Sequence, residues 1–356
     1  MKKKLDVGQW GKNTIKPGER GEVQLTLTEN FSGSDVHIPI YILRAKKPGP
    51  TVFVSGAVHG DEINGTGAIR HIILEDPFEL TAGSLILVPV VNILGFERHT
   101  RYLPDRRDLN RSFPGSSKGS LASRMASVVF EEIVGRADFG IDLHTGAVRR
   151  TNFPNVRADL KDPVLAEFAR AFGASLIVSG RGPAGSLRRT ASDAGVPTLL
   201  LEAGEIWKVE PTVLEYAVEG IKNCLIHLGM VDGERSEPPF RVETDATHWM
   251  RAQYGGFLQF HVAPGDIVEK DQHISTNTSL TGTEQNTVHA PREGIILGMT
   301  TLPAVVPGDP ICHIAYTKKG SLKKIERAMS KLSDDDLHER MRDDLSKNMV
   351  LEDGED

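Results

Sequence analysis

Cysteine is nearly absent. Only Cys224 and Cys312 occur in 356 residues, far apart and each inside an apolar run. Two such thiols give no disulfide framework and no Cys-based metal site, and they suit a reducing compartment. A basic excess is also missing: 42 Lys and Arg stand against 48 Asp and Glu, a net charge of −6. That balance argues against nucleic acid as a partner, since phosphate contacts need a surplus or stripe of cations. Long apolar runs are lacking too. The most apolar stretch, Leu85–Phe96, is too short to span a bilayer and contains Asn92. The opening Met1-Lys2-Lys3-Lys4 has the charge of a signal n-region, but Asp6, Gln9 and Lys12 stand where an apolar h-region would follow. The expectation is a soluble, cytoplasmic protein with neither a nucleic-acid nor a membrane partner.

What is present is ordinary globular material, 39% hydrophobic and 25% charged. The length suggests two domains, or one large domain with an appendage. The first fifty or so residues read as short extended segments, with alternation over 22–28 and 37–43. From Thr51 short apolar runs alternate with helical patterns. The runs are Thr51–Ser55, Ser84–Asn92, Phe139–Leu143, Ala174–Val178 and Pro197–Leu201. Helices are predicted over Asn64–Leu74, Leu121–Val134, Pro163–Phe172 and Pro211–Leu228. This is the grammar of an α/β fold, a mostly parallel sheet flanked by helices. A Pro- and Gly-containing linker, Asp232–Pro239, marks a boundary. Beyond it a Pro-Gly-Asp turn recurs at 264–266 and 307–309, which predicts a small pseudo-symmetric β-sandwich. The divisions expected are 1–235, catalytic with an N-terminal β extension; 240–316, β-sandwich; and 317–356, a charged helical or disordered tail. Ser333-x-x-Asp336 reads as a capping pattern in that tail.

Four elements could carry chemistry. His59-Gly60-Asp61-Glu62 follows a strand, and His-x-x-Glu can put an imidazole and a carboxylate on one metal. Alone it means little, because twelve histidines give about one such pair by chance. His144 ends the run Phe139–Leu143. Two His and one carboxylate, with an open position for water, is a catalytic zinc arrangement. Asp142, two residues earlier on the strand, can support His144 from behind. Asp108-Leu109-Asn110-Arg111 is a polar turn holding a guanidinium suited to a carboxylate, and Arg101 stands upstream. Finally, Glu202 ends the buried run Pro197–Leu201, where a carboxylate must find a partner or take a raised pKa, as a general acid or base does. All four lie at the C-terminal ends of apolar runs or in the loops beyond, the edge where open α/β sheets bind ligands.

The order His59-x-x-Glu62, Asp108-Leu109-Asn110-Arg111, Asp142-Leu143-His144, Leu201-Glu202-Ala203-Gly204 resembles the succinylglutamate desuccinylase/aspartoacylase family of the zinc carboxypeptidase clan. The likeness runs from about residue 50 to 316. It implies a zinc-carboxypeptidase-like α/β fold and a zinc-dependent amidohydrolase with one Zn2+ on His59, Glu62 and His144. Glu202 matches the general base, Arg111 the clamp on a substrate carboxylate and Asn110 its neighbour. Arg101, in Thr-Arg-x-x-Pro, matches the arginine that polarises the scissile carbonyl, with Arg106 and Arg107 as competing choices. Departures are Ser55-Gly56 in place of a frequent Gly-Gly, and Asp61 where aspartoacylase has Asn.

The segment from Trp249 to Ala315 resembles a barrel-sandwich domain similar to biotinyl and lipoyl carriers. Residues 276–289 contain no Lys, so a carrier role is disfavoured against a lid, a pocket wall or an oligomer contact. Arg111 implies a free carboxylate beside the scissile amide. The substrate expected is an N-acyl amino acid, with the C-terminal residue of a short peptide as the alternative and a non-catalytic binding protein as the second. Arg188 and Arg189 could meet a further acidic group or be surface charges before a helix. The resemblance and the appended β domain leave a homo-oligomer open.

Overall fold

The computed structural model describes residues 4–30, 32–318, 320–333 and 336–346. A two-stranded ribbon, β1 (Gln9–Trp10) and β2 (Asn13–Thr14), precedes a long hairpin of β3 (Arg20–Glu29) and β4 (Asp35–Arg44). The α/β part follows as β5 (Lys47–Gly56), α1 (Asn64–Glu75), β6 (Ala82–Val88), α2 (Ile93–Phe96), α3 (Leu121–Glu132), β7 (Phe139–His144), β8 (Arg150–Ala158), α4 (Pro163–Ala171), β9 (Leu176–Ser179), α5 (Leu187–Asp193), β10 (Thr198–Gly204) and α6 (Pro211–His227). Its helices start where local chemistry allows. Ser120 caps α3, Asp162 caps α4 with Pro163 behind it, and Ser186 caps α5.

These strands build the centre of a 13-stranded mixed sheet. β6, β5, β7 and β10 are parallel, while the arms on both sides are largely antiparallel. Further parallel pairs, β8 with β9 and β9 with β11, branch off this path, and the central parallel strands are joined through helices. Alternate side chains of β5 face opposite layers. Val52 and Val54 pack with α1, α4 and α6, and Phe53 packs with α3 and α5. Leu85 and Leu87 divide from Ile86 and Val88 in the same way.

The C-terminal region contains β11 (Val242–Thr244), β12 (Thr247–Arg251), β13 (Gly256–Phe260), β14 (Ile267–Val268), β15 (His273–Thr278), β16 (Gln285–His289), β17 (Gly294–Thr300), β18 (Ala304–Val305) and β19 (Pro310–Tyr316). A four-stranded sheet, β16-β15-β13-β18, packs on β12, β17 and β19 through Leu258, Phe260, Ile274, Ile296, Cys312 and Ile314. The two Pro-Gly-Asp turns share one geometry. Gly265 and Gly308 both sit at φ +95°, and Asp266 and Asp309 accept from the backbone N–H of Ala263 and Val306 at 2.8 and 3.0 Å.

Strand pairing crosses the boundary expected near 235–240. β17 pairs antiparallel with β8, so β12, β19 and β17 continue the catalytic sheet. The charged tail forms α7 (Leu322–Met329) and α8 (Leu337–Ser346). It is not a solvated appendage: Ile325, Met341 and Leu345 are buried against Phe153, Leu176 and Leu297. Asp336, rather than Ser333, caps α8, accepting from His338 N–H at 2.8 Å; residues 334–335 lie outside the described residues. Among those described, no helix is long and apolar enough to cross a membrane.

Candidate metal centre and substrate cavity

His59 is delivered by a tight exit from β5. Ala57 takes φ +47°, and its carbonyl and that of Gly56 are held by the N–H groups of Asn92 and Val91 at 2.9 and 3.0 Å. Gly60 then lies against the Gly95–Phe96 backbone of α2, so closely that a Cβ would collide with it. His144 ends β7, in parallel register with Glu202 on β10. The three groups converge. Glu62 Oε1 is 2.6 Å from His59 Nδ1, and Glu62 Oε2 is 2.7 Å from His144 Nδ1. One donor atom from each of the three residues lies within 4.8 Å of the others, and all three side chains are buried.

Their outer partners set the donor atoms. His144 Nε2 meets Asp142 Oδ2 at 2.8 Å, and Ser55 Oγ donates to Asp142 Oδ1 at 2.8 Å. With Nε2–H on Asp142, the Nδ1 lone pair of His144 faces inward. His59 Nε2 lies 3.3 Å from Asp108 Oδ1 and makes no formed hydrogen bond among the described residues. Burial opposes charge on both histidines, but Glu62 with Asp108 for His59, and Asp142 with Glu62 for His144, outweigh it and raise both pKa values. Burial likewise opposes ionisation of Glu62, yet the two imidazoles pull its pKa below the ordinary carboxylate range. A buried carboxylate flanked by two inward Nδ1 atoms, each ring backed by a further carboxylate, fits a divalent cation with zinc-type ligands.

Arg101 reaches this cluster. Its Nη1 is 3.2 Å from Glu62 Oε1 and its Nη2 3.0 Å from Asp108 Oδ2. Arg106 and Arg107 are exposed, and Arg107 turns to Asp105. The geometry therefore brings Arg101 to the site and leaves the other two outside.

One cavity of about 230 Å³ joins the predicted groups, lined by His59, Glu62, Arg101, Asn110, Arg111, His144, Arg188 and Glu202. A larger cavity of about 630 Å³ beside α6 contains none of them. Asn110 Oδ1 accepts from Leu187 N–H at 2.8 Å, tying the Asp-Leu-Asn-Arg turn to the start of α5. Arg111 bonds the Asn110 carbonyl at 2.6 Å and is otherwise exposed at the rim. Arg188 is 6% exposed and donates to the Gly180 carbonyl at 2.8 Å. Burial and the neighbouring Arg157 bring its pKa down to about 10. Arg189 is not brought in; it faces Gly182 and Asp193.

Glu202 accepts from Asn152 Nδ2 at 3.0 Å and lies 3.7 Å from Arg157 Nε. The β10–β8 register shifts between Glu202 and Gly204, a bulge of the kind that re-aims side chains beside active sites. Sequence reasoning named Glu202 but missed its neighbours on this wall. Arg150, Asn152, Arg157, Trp249 and His313 also line the cavity. The strand β8 had no apolar run to announce it, because its buried residues include Thr151, Asn152 and Asn155. Asp108 and the Thr145 N–H, 3.2 Å from Glu62 Oε2, also went unassigned.

The model of the succinylglutamate desuccinylase/aspartoacylase catalytic domain matches residues 48–228. The chain is 30% identical over 312 residues to the N-alpha-acetyl-L-2,4-diaminobutyric acid deacetylase of Halomonas elongata, covering 83% of this chain and 91% of that one. A succinylglutamate desuccinylase structure from Silicibacter sp. aligns with a TM-score of 0.74 at 25% identity, over 85% of this chain and 96% of the other. The product-bound ectoine utilization protein EutE from Ruegeria pomeroyi aligns at 0.71 and 26%, over 84% and 94%. With the catalytic-domain match spanning the His59–Glu62–His144 cluster and the Glu202 strand, the chain belongs to the succinylglutamate desuccinylase/aspartoacylase family.

Proposed function

We propose that this protein is a zinc-dependent amidohydrolase that removes the acyl group from an N-acyl amino acid. One observation carries the reading: two inward histidine nitrogens and a carboxylate converge at 2.6–2.7 Å, and Glu202 lines the same cavity from the adjacent strand. His59, Glu62 and His144 would hold the ion, which when bound supplies Lewis acidity and lowers the pKa of water towards ~7. Glu202 takes a proton from the attacking water and returns it to the departing amine. Arg101, a permanent cation beside the cluster, stabilises charge growing on the acyl oxygen. Arg111, with Asn110 beneath it, clamps the α-carboxylate, and Arg188 meets a second acidic group. Water is the nucleophile throughout, and no covalent acyl-enzyme forms.

The Halomonas relative is named for deacetylating an N-acetyl amino acid, which favours deacylation over removal of a C-terminal residue from a short peptide. Two buried free thiols support a cytoplasmic setting. Protein purified without chelator should hold one zinc per chain, and His144→Ala none. A panel of N-acetyl and N-succinyl amino acids, their α-amides and short peptides then reads the substrate. Acids should be turned over and amides refused; equal turnover of acid and amide would refute the carboxylate clamp.

A further inference from the structure

The sheet carries one face of the site into the C-terminal strands. Cross-strand register runs from Gly204 on β10 to Asn152 on β8, to Gly298 on β17, to His313 on β19 and to Trp249 on β12. Residues directly opposite one another share a face of a sheet. Asn152 donates to the Glu202 carboxylate, so this row begins beside Glu202. Gly298 leaves it a gap, since a Cβ there would lie 2.5 Å from Asn152 Oδ1.

At the far side of the gap His313 stacks on Trp249, with ring centroids 4.5 Å apart and planes 10° from parallel. His313 is 6% exposed and lines the cavity, yet its Nδ1 finds no hydrogen-bond partner among the described residues. A buried polar atom without a partner costs roughly 1–3 kcal/mol, and such atoms in native proteins call for an explanation.

We propose that His313 is a specificity residue of this cavity, hydrogen-bonding an oxygen of a carboxylate or carboxamide at the far end of the substrate. The surroundings support an oxygen ligand over an ammonium. Arg150 and Arg157 line the same wall, and Arg150 lies 4.8 Å from the Trp249 ring. Burial, then Arg157 and Arg150, bring the His313 pKa down to about 3, so the imidazole is neutral at physiological pH and adds no charge. This inference rests on the hydrolase reading for the identity of the cavity, but its test reads binding.

Calorimetric titrations on the zinc-loaded, full-length Glu202→Gln protein would use N-acetylglutamate, N-acetylnorvaline, which ends in a methyl group, and N-acetylglycine, which has no far end. N-acetylglutamate should bind at least about tenfold more tightly than N-acetylnorvaline. His313→Phe keeps an aromatic ring for the stack and should lower that ratio at least about threefold, the arginines of the cavity keeping the remainder, with N-acetylglycine affinity within about twofold. His313→Gln should retain part of the preference. N-succinylglycine, carrying its second carboxylate on the acyl group, tells which end of the substrate reaches His313. On the unmutated chain, the His313 imidazole 15N shifts should move with N-acetylglutamate and not with N-acetylnorvaline, whether or not the variants fold. An unchanged ratio in His313→Phe, equal losses for all three ligands, or still 15N shifts would overturn the proposal. A preference that persists in a parent enzyme hydrolysing none of the panel would sink the hydrolase reading alone.

Discussion

The two walls of the cavity differ in how completely their polar groups are paired. On one side Glu62 meets His59, His144, Arg101 and the Thr145 N–H, while Asp142 and Asp108 stand behind the imidazoles. On the other, Glu202 has Asn152 and a distant Arg157, Arg188 has one carbonyl, and His313 Nδ1 has nothing among the described residues. The first wall is a connected network in which His59 Nε2, 3.3 Å from Asp108 Oδ1, is the atom left without a formed hydrogen bond among the described residues. The second is left for a ligand to complete. On the proposed function, the difference separates the part that would hold the metal from the part, Glu202 included, that would meet the substrate.

The comparison breaks most severely at its most connected point. Glu62→Gln should abolish zinc retention and reduce turnover to background. It should also destabilise the metal-free chain by about 3–5 kcal/mol, because a buried charge partner is removed; elemental analysis and urea unfolding read the two effects. Next is Glu202→Gln, expected to lower kcat by about 10²–10⁴ with zinc stoichiometry unchanged. Parent-level turnover in that variant would show Glu202 to be the wrong base.

Smaller effects sharpen the contrast. Asp142→Asn should weaken zinc binding about 10–100-fold, the usual effect of losing an outer partner of a ligating histidine, measured by chelator competition. Arg111→Ala, at the exposed rim, should raise KM about 10–100-fold through loss of charge-assisted bonds discounted for solvent, with kcat changing less. The mildest test is pH. The raised pKa values of His59 and His144 mean that the folded metal-free chain holds protons the unfolded chain has released. Their contribution is present below the ordinary 6.5 and declines as pH rises through the raised values. Glu62 and Asp108, held low, contribute above the ordinary 4.5 and 3.8, and that contribution fades as pH falls through the depressed values. Metal-free Tm should therefore peak between about pH 4.5 and 6.5. The zinc-loaded protein should instead gain on going from pH 6 to 8, since metal needs neutral imidazoles. A metal-free Tm that climbed steadily to pH 8 would contradict the pairing seen here.

Much of the first wall was legible in the chain. A strand followed by His59-x-x-Glu62, and a strand ending in Asp142-Leu143-His144, place donors by local geometry, because side chains two apart on a strand share a face. The apolar runs over 51–55 and 139–143 marked those strands by hydrophobicity alone. Glu202 was conspicuous as a carboxylate closing a buried run. The choice among Arg101, Arg106 and Arg107 was not local: it was settled by which guanidinium reaches Glu62 and Asp108 across the fold.

Apart from Glu202 and Arg188, the second wall was hidden. Pro154 in the middle of β8 argues against an interior strand in any sequence reading. It is tolerated because β8 pairs with β10 on either side of it, Asn155 opposite Glu202 and Asn152 opposite Gly204, with the register shift between them. Trp249 and His313 lie more than a hundred residues from His144 along the chain and enter the cavity only because β17 pairs with β8. The sequence by itself marked the strands and the candidate ligand motifs, which depend on residues a few positions apart, and the order of those motifs carried the resemblance to the family. Tertiary structure brought Arg150, Asn152, Arg157, Trp249 and His313 to the cavity, since cross-strand register is set by the packing of whole sheets and leaves no periodic trace in the residues it brings together.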